Sequence, residues 1–192
     1  MRRIHTSGTA GIKLNFLDRL ILGIKEGNWG IAFPGSVTDS SRILTKRNVI
    51  DRAKTVLPYI EYDQNPYMVV TDDGRLVWVI DGYTMSDNYP YSQESVVGMA
   101  NGYKKKINYI RNSIKVIVDS YNGTMQFYIT DRTDPIAMTY RNLYPALFED
   151  LDSQLPADIA QHAAYPEFLY NVQAQVLGRY HNVRSRGALQ NR

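Results

Sequence analysis

The chain has 192 residues, a net charge of +3, no cysteine and 15 tyrosines. So small and dispersed a charge excludes a nucleic-acid-binding reading, and the missing cysteines exclude thiol catalysis, disulfide bridges and thiolate zinc sites. The longest apolar clusters, such as residues 76–80, have strand length and fall far short of a membrane span.

In chain order, residues 1–7 are basic with no apolar segment behind them, so they read as a flexible start and not as a secretory signal. Gly8-Thr9-Ala10-Gly11 precedes a helix but lacks the lysine of a phosphate loop, and reads as a flexible lead-in. Leu14, Leu17, Ile21 and Ile24 recur at helical steps and predict an amphipathic helix stopped near Gly27. Asp39, Ser40 or Ser41 can cap a second helix with Ile43, Ile50, Ala53 and Leu57 on its buried face and Pro58 at its end.

The middle is β. Residues 68–71 and 75–81 flank Asp72-Asp73-Gly74, and residues 114–119 and 125–130 flank Ser120-Tyr121-Asn122-Gly123-Thr124. Asp-Gly and Asn-Gly between apolar runs are hairpin signals. Asn122-Gly123-Thr124 also fits a glycosylation pattern, which the turn explains more simply. Alternation puts Ile114, Val116 and Val118 on a buried face and Lys115 on a wetter one, whereas Val77, Trp78, Val79 and Ile80 fit a strand covered on both sides. Lys104-Lys105-Lys106 reads as a solvated loop.

The last third is helical: a cap at Asp134-Pro135 with a stripe of Ile136, Tyr140, Leu143 and Leu147, a short helix from Pro156, and another from Pro166 carrying Phe168, Val172 and Val176. The fold class is therefore α+β: an antiparallel sheet of two hairpins with flanking N- and C-terminal helices, the helices packed on one face. Residues 8–183 form a single domain, and residues 184–192, without hydrophobic periodicity, read as a disordered tail.

His5, His162 and His181 lack zinc spacing, and no phosphate-loop, nucleophile-elbow or dinucleotide pattern is present, so no metal or cofactor is expected. One segment stands out. Asp81-Gly82-Tyr83-Thr84-Met85-Ser86-Asp87-Asn88-Tyr89-Pro90-Tyr91-Ser92-Gln93 leaves the end of a central strand without helical or strand periodicity. Such loops commonly carry binding residues, and Asp81, Tyr83, Asp87, Tyr89 and Tyr91 are the candidates here. The competing reading is that the tyrosines pack the loop down while the aspartates accept turn hydrogen bonds.

The same segment, with Asp63-Gln64-Asn65-Pro66-Tyr67, Asn108-Tyr109-Ile110-Arg111-Asn112-Ser113, Ser41-Arg42-Ile43-Leu44, Asp119-Ser120-Tyr121-Asn122-Gly123-Thr124 and Tyr165-Pro166-Glu167-Phe168-Leu169, resembles bacterial sequences grouped as uncharacterised protein family 0182. The similarity runs from about Gly8 to Val183; residues 184–192 do not share it. The resemblance implies a multi-pass cell-membrane parent, with this region outside the cytoplasm and joined to the membrane only through transmembrane helices absent from this chain. It implies no activity and no catalytic residues. Three functions follow as expectations. The first is a binding or interaction module, with the rest of the parent, a cell-envelope component or another protein as partner and no nucleic acid. The second is a structural assembly domain. The third is an envelope hydrolase or transferase using Asp63, Asp81 or Asp87.

Overall fold

In a computed structural model of the chain the described residues are 11–13, 15–32, 42–43, 46–99 and 102–189. Leu14, the caps Asp39, Ser40 and Ser41, the segment 1–10 with His5, and residues 190–192 lie outside them. Two compact units divide the chain, residues 1–48 with 121–123 and residues 49–120 with 124–192; the domain expected over 8–183 spans both.

In the first unit, β1 (Ile12–Lys13) pairs antiparallel with β2 (Arg42–Ile43). Between them lie α1 (Phe16–Lys25) and the single turn α2 (Trp29–Ala32). The Asn15 N–H donates to Asp18 Oδ2 at 3.2 Å, which holds the start of α1. Gly27, at φ 63°, ends it: its N–H reaches Ile24 O and the Asn28 N–H reaches Gly23 O, the paired bonds of a Schellman cap. The expected apolar stripe is present, but Phe16, Leu17, Ile21 and Ile24 are each between 60% and 68% exposed, and Arg19 and Gly23 are the buried positions.

The second unit opens with α3 (Val49–Val56). It begins later than the sequence pattern implies, directly after Asn48, a residue type favoured at helix starts. Ile43 belongs to β2 instead, while Ile50, Ala53 and Leu57 are buried as expected. Next come β3 (Glu61–Tyr62), β4 (Tyr67–Val70), β5 (Leu76–Ser86), β6 (Ser95–Gly98), β7 (Lys104–Ile107), β8 (Tyr109–Asp119) and β9 (Met125–Ile129). The strands β3, β5, β8 and β9 form an antiparallel sheet in that order, and β4 pairs with the first half of β5. Gly74, at φ 78°, closes the β4–β5 turn. The sheet is thus built from the two expected hairpins, with β5 at its centre.

Two features depart from the sequence reading. Lys104-Lys105-Lys106 is no loop: it forms β7, hairpinned with β6, and Lys105 pairs with Glu61 while Lys106 pairs with Glu94. The wetter sheet face is also covered. Ile80, Ile114, Val116, Val118 and Phe127 pack against Ile50, Ala53 and Leu57 of α3 and Ala137 of α4 (Pro135–Leu143). On the opposite face Val77, Val79, Ile117 and Tyr128 meet Ile159 of α5 (Ala157–Gln161). Further along, Val97 and Ile107 meet Val172 of α6 (Glu167–Leu189). Lys115 can occupy this covered face because Asp81 sits directly opposite it and neutralises it. Helix α6 continues past residue 183 to Leu189.

Gly82 sits where no side chain fits well. A Cβ there would lie 3.0 Å from Ile60 Cδ1 and 3.2 Å from both Ile114 Cβ and the Ile114 carbonyl oxygen. Gly82→Ala is expected to cost about 1–3 kcal/mol of overpacking. A thermal melt of the variant that overlays the parent's would show that this contact gives freely.

Candidate functional site

The 81–93 segment divides in two, because β5 runs on to Ser86. Asp81 and Tyr83 are strand residues, 5% and 1% exposed. Asp81 forms an ion pair with the Lys115 ammonium and accepts from Asn112 Nδ2 at 2.9 Å. The Tyr83 hydroxyl donates to Asp63 Oδ2 at 2.5 Å, and the Asn65 N–H donates to Asp63 Oδ1 at 2.9 Å. The strand is hard to see in sequence because both its faces are covered, which removes the polar alternation that marks a half-exposed strand.

Asp87, Tyr89 and Tyr91 lie on the exposed loop that follows. Asn108 clamps it: its Oδ1 accepts the Tyr89 N–H at 2.9 Å, its Nδ2 donates to Tyr89 O at 2.8 Å, and its carbonyl accepts from Ser92 Oγ at 2.7 Å. The Tyr89 ring stacks on Tyr109, centroids 4.6 Å apart. Tyr91 stands fully exposed at φ 60°, an uncommon backbone state for a residue other than glycine. Local strain of this kind clusters at ligand clamps. The structure therefore keeps Tyr89 and Tyr91 together on a braced loop and separates them from Asp81 and Tyr83 in the sheet.

A cleft of about 970 Å³ runs between this loop and α6. Tyr89, Tyr91 and Tyr109 line it from the sheet side, and Tyr170, Leu177 and Tyr180 from the helix. The three helix residues are 59–61% exposed. Arg111 is the only charged residue lining the cleft among the described residues, and it is held by Asp131 Oδ2 and Thr133 Oγ1, each at 2.7 Å. Its bond to Asp131 and the neighbouring Tyr109 keep the guanidinium firmly protonated. Tyr109 is anchored in turn: its hydroxyl donates to Asp134 Oδ1 at 2.8 Å. Asp134, fully buried, also accepts from Thr84 Oγ1 and caps α4 through the Ile136 N–H. Sequence reasoning missed the α6 contribution. The signal was there, since Tyr170, Leu177 and Tyr180 give α6 an apolar surface beyond the Phe168, Val172 and Val176 stripe.

Each carboxylate a hydrolase would use is engaged: Asp63 by Tyr83 and Asn65, Asp81 by Lys115 and Asn112, and Asp87 by Asn88 Nδ2 at 2.7 Å. No group of three or more histidines, aspartates and glutamates is placed to hold a metal ion among the described residues. His162 is exposed at the end of α5.

The interior phenols resist ionisation. Burial, and then the Asp63 bond, raises Tyr83; burial, and then the Asp134 bond, raises Tyr109; burial alone raises Tyr62. Burial and the charge of Asp81 push Tyr67 up to about 12. A raised folded value means the unfolded chain releases these protons first, at about pH 10. Their contribution to stability is therefore complete below about pH 10 and is lost as pH climbs through the folded values. An alkaline titration should show the tyrosinate absorbance of these four interior phenols appearing together with unfolding; smooth ionisation of all tyrosines in a folded chain would contradict the burial described.

Comparison with known proteins places the chain. The sequence profile of the uncharacterised protein family UPF0182 matches residues 3–186. The chain belongs to this family. A UPF0182 protein of Caldicellulosiruptor saccharolyticus is 44% identical over 180 residues, covering 94% of this chain and 19% of that relative. One from Clostridium acetobutylicum is 44% identical over 174 residues, 91% of the chain and 18% of the relative. One from Methanospirillum hungatei is 42% identical over 174 residues, 91% of the chain and 19% of the relative. The chain thus spans less than a fifth of the length of these UPF0182 relatives, and no solved structure matches it. The profile reaches wider than the 8–183 resemblance at both ends. Among the described residues, no helix is long and apolar enough to cross a membrane.

Proposed function

We propose that this chain is an interaction module of a larger, multi-pass cell-membrane protein, lies outside the cytoplasm, and uses its tyrosine cleft to seat another segment of that same parent polypeptide. The observation that carries the reading is the cleft itself. Exposed tyrosines on a braced loop and on α6 face one another across it. Tyrosines are enriched at interfaces because each joins an apolar ring to a polar tip. The one charged lining residue is already paired, which disfavours an anionic envelope polymer and favours an apolar stretch of polypeptide. The parent is the supported source of that stretch, since the relatives are about five times the length of this chain. The membrane setting rests on the family resemblance.

The assembly-domain reading has its own observation, the uncovered apolar stripe of α1, and is compatible with the cleft. A hydrolase or transferase is disfavoured by the engagement of Asp63, Asp81 and Asp87. Photo-cross-linking from position 91 in the full-length protein, in its native membrane, tests the proposal. The expected adduct is intramolecular and is lost when Tyr89 and Tyr180 are replaced by alanine. An adduct only to a separate protein or to envelope glycan, or an intramolecular one indifferent to those substitutions, would overturn it.

A further inference from the structure

A second cavity, of about 250 Å³, lies on the other side of α6 and shares no lining residue with the cleft. Its wall carries three carboxylates, Glu61, Asp63 and Glu167, against one lysine, Lys54. Lys105 bridges Glu61 at 3.2 Å, so three carboxylates meet two ammonium groups and one negative charge is left over. The aromatic share is high: Tyr62, Tyr83, Tyr103 and Phe168 all line the space. Tyr83 and Phe168 brace each other with ring centroids 5.2 Å apart, and Tyr83 is fixed by its bond to Asp63. At Gly98 the wall is bare backbone, and a Cβ built there would meet nothing within 4 Å.

Excess negative charge among aromatic rings selects a cation with an apolar stem. The carboxylates supply Coulomb attraction and hydrogen-bond acceptors, and the rings supply cation–π attraction. An anion would be repelled, and the described residues include no group placed for a metal ion. The volume holds roughly eight water-sized groups at about 30 Å³ each. That accommodates the four-carbon ammonium stem of a lysine, and the aromatic wall suits such an alkyl stem better than the polyol of a hexosamine. We infer that this cavity binds a primary alkylammonium group, carried either by a small free amine or by the lysine side chain of a partner segment.

Amide shifts of the isotope-labelled chain, read during titration, test this. The probes are butylammonium, an acetyl-lysine methylamide, glucosamine, butanol and butyrate. Butylammonium is expected to move the Gly98 and Asn171 amides, while butanol, butyrate and glucosamine leave them in place. Tighter binding of the lysine derivative points to a partner segment, and tighter binding of butylammonium to a free amine; either supports the site. Gly98→Leu should fill the space and abolish the shifts. Glu167→Gln, on the exposed first turn of α6, should weaken binding about tenfold with the rest of the spectrum unchanged, and it decides the matter should the Gly98 variant misfold. Equal binding of butanol or butyrate, shifts that survive both substitutions, or no shifts at all would overturn the inference.

Discussion

Lys115→Met alone is expected to destabilise the domain by about 3–5 kcal/mol, more than its modest loss of volume explains. The ammonium lies opposite Asp81 on neighbouring central strands, and both side chains are less than 10% exposed. Removing the cation leaves a buried carboxylate whose remaining side-chain donor is Asn112. The companion change restores about half of the loss: with Asp81→Leu as well, the uncompensated charge is gone, and the residual cost is the orphaned Asn112 amide, about 1–3 kcal/mol. Urea unfolding, followed through the half-buried Trp78 in a Trp29→Phe background, measures both variants; a shift in midpoint at constant slope assigns the effect to stability. Single and double variants of equal stability would mean that the pair is hydrated and not part of the core.

Asp134→Ala carries the second large effect. The carboxylate serves three donors at once: the Ile136 N–H, the Thr84 hydroxyl and the Tyr109 hydroxyl. Losing the helix cap costs about 1 kcal/mol, and each buried hydroxyl left unpaired adds about 1–3 kcal/mol. A total of about 3–7 kcal/mol is expected, with Asp134→Asn near the middle because its one carbonyl oxygen keeps part of the set. The variant also releases Tyr109, on which Tyr89 stacks. Loosening of the 89–92 loop should therefore accompany the lost stability, read as faster proteolysis at that loop. Unchanged cleavage there would separate the cleft from its buried support.

Particular residues show how far the sequence reaches. Asp72-Asp73-Gly74 and Asn122-Gly123 announce their hairpins because those turns need residues tolerant of positive φ, and Gly74 and Gly123 adopt it. Asp134-Pro135 announces a helix start by the same local logic. The β6–β7 hairpin is silent because its lysines find carboxylates, Glu61 and Glu94, far away in sequence or on another segment. Asp81 and Tyr83 look like loop chemistry in a linear reading because nothing local reveals that Lys115 and Asp63 will meet them. Tyr89 and Tyr91 could be picked out from composition, but the opposite wall of their cleft lies some eighty residues downstream on α6.

The alternation legible in β8 stops at Ile114, and the reason lies in its pairing with β5. From Gly82 to Thr84 the central strand advances two residues, while β8 advances three, from Ile114 back to Arg111. The extra residue makes β8 two strands of opposite phase joined end to end. In one half the even positions Ile114, Val116 and Val118 face α3 and α4; in the other it is odd-numbered Tyr109 that reaches Asp134, while Ile110 turns toward α6. Deleting either Asn112 or Ser113 would restore a single phase, swing Tyr109 away from its carboxylate and bring Ile110 round to the face that Tyr109 left. A one-residue slip of the reading of this strand thus decides which side of the sheet carries the tyrosine cleft.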